Sequence, residues 1–181
     1  MPQSELFDAI SVGSKSWLKA AIWRLDQKGE DINESDDWGT TPLAFAVFKG
    51  RESLVNLLLA HPDIDVNDYH EYSQDGCGTA LEIAINHGHK SIVKRLLAHP
   101  DIDVNKTSDD IEANPYTAGS AALHLAAGKG DKPIVELLLS REDIDVNKSD
   151  VLGRTPLSYA IERGNKSIED MIRNAATDNQ P

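Results

Sequence analysis

Cys77 is the one thiol of the chain, and His70 or His87 would be the nearest base for it. A thiol attacks as its thiolate, and the base that makes the thiolate needs a third group to orient it. No such group stands at a distinctive spacing, so catalysis is not expected. His87 and His89 lie two apart around Gly88, whereas two metal ligands on one helix face sit at i and i+4. His61 and His99 each precede a proline in matching stretches, which gives them a repeated turn role. There is no Gly-rich phosphate loop, no catalytic carboxylate pair and no zinc spacing. Neither a cofactor nor a metal is expected.

The rest of the composition narrows the function further. The 181 residues suffice for one ordinary domain or one stack of small repeats. With 40% hydrophobic and 27% charged residues the chain should fold, and with only 6% aromatics its core must be Leu, Ile, Val and Ala. The formal charge of −12 would repel a phosphate backbone, so nucleic acid is not the expected partner. A lone cysteine cannot form an internal disulfide. No apolar run approaches the length of a spanning helix, and the opening MPQSELFDAI has no leader pattern. The expectation is a cytoplasmic, monomeric protein that is not bound to a membrane.

What must position any functional side chain is a repeat. LVNLLLAHPDIDVN ends at Asn67, IVKRLLAHPDIDVN at Asn105 and IVELLLSREDIDVN at Asn147, with a fainter IWRLDQKGEDIN ending at Asn33. A second landmark precedes each: TPLAFAVFKG from Thr41, TALEIAINHGH from Thr79, AALHLAAGKG from Ala121 and TPLSYAIERG from Thr155, with SELFDAISVG from Ser4 as the faint first copy. Leu43 to Asn67, Leu81 to Asn105 and Leu123 to Asn147 are each 24 residues apart, so the body of the repeat has one length. From each Asn to the next landmark Leu the distances are 10, 14, 18 and 10, so the length variation lies in the connections.

Each body reads as two short antiparallel helices. Thr41, Thr79 and Thr155 can cap the first, Pro42 and Pro156 suit its first turn, and Gly50, Gly88, Gly130 and Gly164 end it. The second runs to about Ala60, Ala98, Ser140 and Ala175. Helices this short are unstable alone, so stacking must hold them. Leu43, Ala46, Leu54, Val55 and Leu58 are matched with Leu81, Ala84, Ile92, Val93 and Leu97, and with Leu123, Ala126, Ile134, Val135 and Leu138, as one ladder of core positions. The Asp and Asn of the IDVN segments are read as turn-forming.

This pattern resembles the ankyrin repeat, G-x-T-P-L-H-x-A-A-x-x-G-H followed by I-V-x-L-L-L and a turn ending in D-V-N. Gly39, Thr41, Pro42, Leu43, Ala46, Gly50, Leu57 to Leu59 and Asn67 carry it, then Thr79 to Asn105, Gly119 to Asn147, and the stretch from Gly153. The resemblance implies an all-α solenoid of stacked helix-turn-helix units with hairpin-like fingers. The repeats would be 4–34, 35–68, 69–106, 107–148 and 149–175, forming a domain over 4–175 between tails 1–3 and 176–181. The starts at Cys77 and at Ala121–Ala122 depart from the pattern and should be less well capped. Arg24 and Arg173 stand where inner copies carry Leu, which marks the end repeats as caps.

The resemblance further implies that fingers and first helices line a concave groove that binds a protein partner. The groove would present Trp38, Thr40, Phe48 and Lys49, then Asp75, Asn86 and His87, then Thr117, Ser120 and Lys129, and finally Val151, Leu152 and Arg154 with Glu162 and Arg163. Trp38 and Phe48 are either exposed anchors of an interface or packing residues of the finger and the first helices. The long connections carry Tyr69, His70, Tyr72, Ile111 and Tyr116. They serve either recognition or neutral insertion.

The same edge is acidic, with Glu34, Asp36, Asp37, Asp68, Glu71, Asp75, Asp109, Asp110 and Glu112. It would favour a basic partner, or act only as a solvated face. Asn67, Asn105 and Asn147 match the turn asparagine that is hydroxylated in the family in animal cells. The HPDIDVN style is similar to microbial ankyrin proteins, including secreted effectors acting in a host cytosol. An adaptor, scaffold or inhibitor, such an effector, and a structural spacer are therefore the readings carried forward, with nuclear residence also compatible.

Overall fold

The computed structural model describes residues 2–70, 78–107 and 119–178. The described residues form ten helices and a single two-residue β-ladder. The chain divides into two compact units, Met1–Ile102 and Asp103–Pro181.

In the first unit, α1 (Pro2–Val12), α3 (Pro42–Phe48) and α5 (Ala80–Asn86) lie side by side as first helices of three hairpins. Their partners α2 (Lys15–Lys28), α4 (Glu52–Leu58) and α6 (Lys90–Leu97) form the second row. The second unit repeats the scheme with hairpins α7/α8 (Ala122–Lys129, Lys132–Leu139) and α9/α10 (Pro156–Glu162, Lys166–Asp178). α1 begins at Pro2 and α10 runs to Asp178, so residues the sequence assigns to the tails are helical.

The inner helices have only seven or eight residues, and burial between neighbours is what stabilises them. Leu43, Leu54, Val55 and Leu58 are at most 1% exposed, as are Leu123, Ile134, Val135 and Leu138. One rung of the expected ladder is corrected. The residue matching Leu58 and Leu138 is Leu96, which is wholly buried, while Leu97 falls one position later, at the rung of half-buried Leu59.

The caps follow the sequence with one correction. The hydroxyl oxygens of Thr41, Thr79 and Thr155 accept the backbone N–H groups of Ala44, Glu82 and Ser158 at 3.3–3.4 Å. The start at Thr79, expected to be poorly capped, has a full capping box, because Glu82 Oε2 also accepts the Thr79 N–H at 2.7 Å. Ala121 has no side-chain acceptor; instead its N–H donates to His124 Nδ1 at 3.1 Å. That leaves His124 Nε2–H to donate to the Arg154 carbonyl at 3.1 Å. Burial pushes the His124 pKa below the ordinary histidine value, outweighing these polar contacts, and the neutral ring fits both bonds.

The IDVN segments are structural. Their Ile and Val side chains are buried, with Val66 at 1% and Val104 at 1% exposure. Asp31, Asp65, Asp103 and Asp145 each accept the backbone N–H two residues on, at 2.8–3.0 Å. The asparagine that follows then reaches the next turn: Asn33 Nδ2 donates to the Asp63 carbonyl at 2.7 Å, and Asn67 Nδ2 to the Asp101 carbonyl at 2.6 Å.

Candidate protein-binding surface

The connections between hairpins are where the sequence places recognition. In the first one, Asp36 and Thr40 close a tight finger: the Asp36 N–H donates to the Thr40 carbonyl at 3.0 Å, and the Gly39 N–H to the Asp36 carbonyl at 2.9 Å. Asp36 Oδ1 accepts the N–H groups of Trp38 and Thr40 at 3.0 and 2.9 Å. Gly39 has φ +72°, a left-handed backbone that a side chain would strain. The finger from Asn147 to Thr155 repeats the turn with Asp150, Leu152, Gly153 and Arg154 at the same four bonds, 2.8–3.0 Å long. Trp38 and Leu152 are therefore equivalent tip residues, 66% and 58% exposed.

Thr40 is not presented as the sequence suggested. It is 8% exposed, because the same turn that lifts Trp38 outward folds Thr40 back against the helix start. Ser120 is likewise buried, with its hydroxyl 3.0 Å from Tyr159 Oη. Phe48 is half-buried. Its ring meets His87 edge-on with centroids 5.0 Å apart, and Lys49 Nζ lies 4.8 Å from its centroid. It packs against these neighbours and remains part-exposed. Lys49, Asn86 and His87 are exposed on the same row, and Lys129 is exposed at the end of α7. His87 also stacks on His89, with centroids 5.9 Å apart.

Arg154 is part-exposed and its guanidinium is held within the finger. Its Nε donates to Asp150 Oδ2 at 2.8 Å and its guanidinium to Tyr159 Oη at 2.8 Å, while the Tyr159 hydroxyl donates to Asp150 Oδ2 at 2.9 Å. Burial raises the Asp150 carboxyl pKa, but the Arg154 backbone N–H, the Tyr159 hydroxyl, the guanidinium and the Leu152 N–H outweigh it and hold it below the usual range.

Tyr69 and His70 form the strand β1 against β2, Gly78–Thr79, pairing Tyr69 with Thr79. Their side chains, and Tyr72, Asp75, Cys77, Ile111, Tyr116 and Thr117 entirely, lie outside the described residues, as do the acidic positions Glu71, Asp109, Asp110 and Glu112. Asn67 and Asn105 use their carboxamides between turns, while Asn147 is exposed. Among the described residues no group of His, Cys, Asp and Glu could hold a metal. No described helix is long and apolar enough to cross a membrane.

The family model for ankyrin repeats matches residues 6–108 and 109–180. The chain belongs to the ankyrin-repeat family. Ankyrin repeats are generally protein–protein interaction modules and typically lack enzymatic activity. No curated protein matches the chain. Within this ankyrin-repeat chain, sequence reasoning overlooked Trp23, which is 62% exposed on α2. The signal was present. Leu18, Ala21, Ile22 and Leu25 form the buried stripe of that helix, and Trp23 falls off it.

Proposed function

We propose that this ankyrin-repeat protein is a non-enzymatic adaptor or inhibitor that docks a protein partner through its finger tips and first-helix row. The observation that carries this reading is Trp38, two-thirds exposed on a turn fixed by both oxygen-to-backbone bonds of Asp36. A large aromatic held outward on a rigid support loses little conformational freedom on binding and gains its whole buried area. Lys49, the part-exposed Phe48 and His87 extend the surface along the helices.

The test begins with a partner captured from the native cell extract, identified by mass spectrometry and purified. Titration calorimetry then compares wild type with Trp38→Ala. The expected result is a loss of about 2 kcal/mol or more of binding free energy, the hot-spot range, with an unchanged melting temperature. Equal binding by the variant, or a loss explained by unfolding, overturns the assignment.

A further inference from the structure

The first unit carries a concave feature formed by the second helices rather than by the fingers. A groove of about 760 Å³ lies between α2 with its following turn and the end of α4 with the turn after it. Trp23 lines it beside Ile22 and Leu57. Four carboxylates also line it, those of Asp26, Glu30, Asp31 and Asp63, against the single ammonium of Lys19.

Two of these acids, Glu30 and Asp26, have surroundings that bear on what the groove can hold. Glu30 Oε2 is buried and has no hydrogen-bond partner among the described residues. Its other oxygen lies 3.9 Å from Lys28 Nζ, at the limit of an ion pair. The Glu30 side chain as a whole is a third exposed, so the carboxylate can turn to present its unpartnered oxygen to a ligand N–H. Asp26 is fixed in place by His61. The Asp63 N–H donates to His61 Nδ1 at 3.2 Å, which leaves Nε2–H to donate to Asp26 Oδ1 at 2.9 Å.

An open indole face beside several carboxylates fits one kind of side chain. A guanidinium can lie flat on the ring while its N–H fork meets carboxylate oxygens, and its aliphatic stem can rest on Ile22 and Leu57. An anionic ligand would meet the opposite field. We propose that this groove binds an arginine-bearing extended segment of a partner protein, independently of the finger surface.

The test uses the three indole N–H signals of the chain, assigned in ¹H–¹⁵N spectra with Trp17→Phe, Trp23→Phe and Trp38→Phe. The probe is the peptide acetyl-Ala-Arg-Leu-Arg-Ala-amide, with a control in which both arginines are citrulline, alike in shape but uncharged. The arginine peptide should shift the Trp23 signal saturably, with a Kd near or below about 1 mM, and leave Trp38 unmoved. Citrulline should weaken it about tenfold. Glu30→Gln should weaken it several-fold while the Trp23 signal keeps its position in the free protein, which reports intact folding. Equal shifts with citrulline, no shift of Trp23, undiminished binding by Glu30→Gln, or movement of Trp38 instead would each overturn the proposal. Trp38→Ala should leave the titration unchanged, so failure here is separable from failure of the finger surface.

Discussion

Asn105 and Asp143 are joined across 38 positions of sequence, with Nδ2 of the one donating to the backbone carbonyl of the other at 2.7 Å. The same carboxamide accepts the Asp145 N–H through Oδ1 at 2.8 Å, so one side chain satisfies both a donor and an acceptor of the next turn. Removing it leaves two backbone groups to find other partners. Asn105→Ala should therefore cost about 1–3 kcal/mol in a urea titration. Asn147→Ala should cost far less, since the Asn147 side chain is exposed and bonds no described residue. Equal losses at the two positions would show that the carboxamide bridge contributes nothing special.

Asp150 organises the last finger through its bonds to the backbone of Leu152 and Arg154 and to the side chains of Arg154 and Tyr159. An amide at this position would turn one acceptor into a donor facing donors. Asp150→Asn should lower stability by about 1.5–3 kcal/mol, the range for hydrogen bonds to a charged group. Because the folded pKa is depressed, the stabilisation is present above the carboxyl's ordinary value and is lost as pH falls through the folded one. Wild type should thus approach the stability of the variant in acid below about pH 4. A gap between them that stays constant down to pH 2 would contradict this.

The helices and their caps were legible in the sequence because short-range chemistry dictates them: Thr before Pro, Gly after the last turn, and a fixed 24-residue body. The surface was less so. Thr40 and Trp38 are two residues apart on one polar turn, and only the Asp36 bonds decide which of them is buried. Arg154 reads as a free cation until Asp150 and Tyr159 are brought to it by the fold. Trp23 could have been found by helical periodicity alone, but the carboxylates around it come from three separate turns and helices.

The matching of Leu58 to Leu96 rather than Leu97 has a direct consequence for stability. Leu96 is wholly enclosed by its neighbours, and truncation would leave a cavity that thin helical layers cannot close without shifting a whole hairpin. Leu96→Ala should cost about 2–5 kcal/mol, read as a lowered urea midpoint with an unchanged slope. A loss below about 1 kcal/mol would mean that the layers collapse freely onto the gap.

Glu82 gives the fold a pH dependence of opposite sign to that of Asp150. Its side chain is 5% exposed, and burial pushes its pKa from 4.5 up to about 7, although the Thr79 N–H and hydroxyl pull it down. The folded state therefore holds this proton more tightly than the unfolded chain does. The resulting stabilisation is complete below pH 4.5 and is lost as pH rises through about 7. The difference across that window is at most on the order of 3 kcal/mol. Glu82→Gln keeps a neutral acceptor for the Thr79 N–H and cannot titrate, so its stability relative to wild type should climb between pH 5 and pH 8 and level off beyond. Urea titrations of both proteins at several pH values read that difference directly. A difference that is flat across the range would mean that Glu82 ionises in the folded protein as readily as in the unfolded chain.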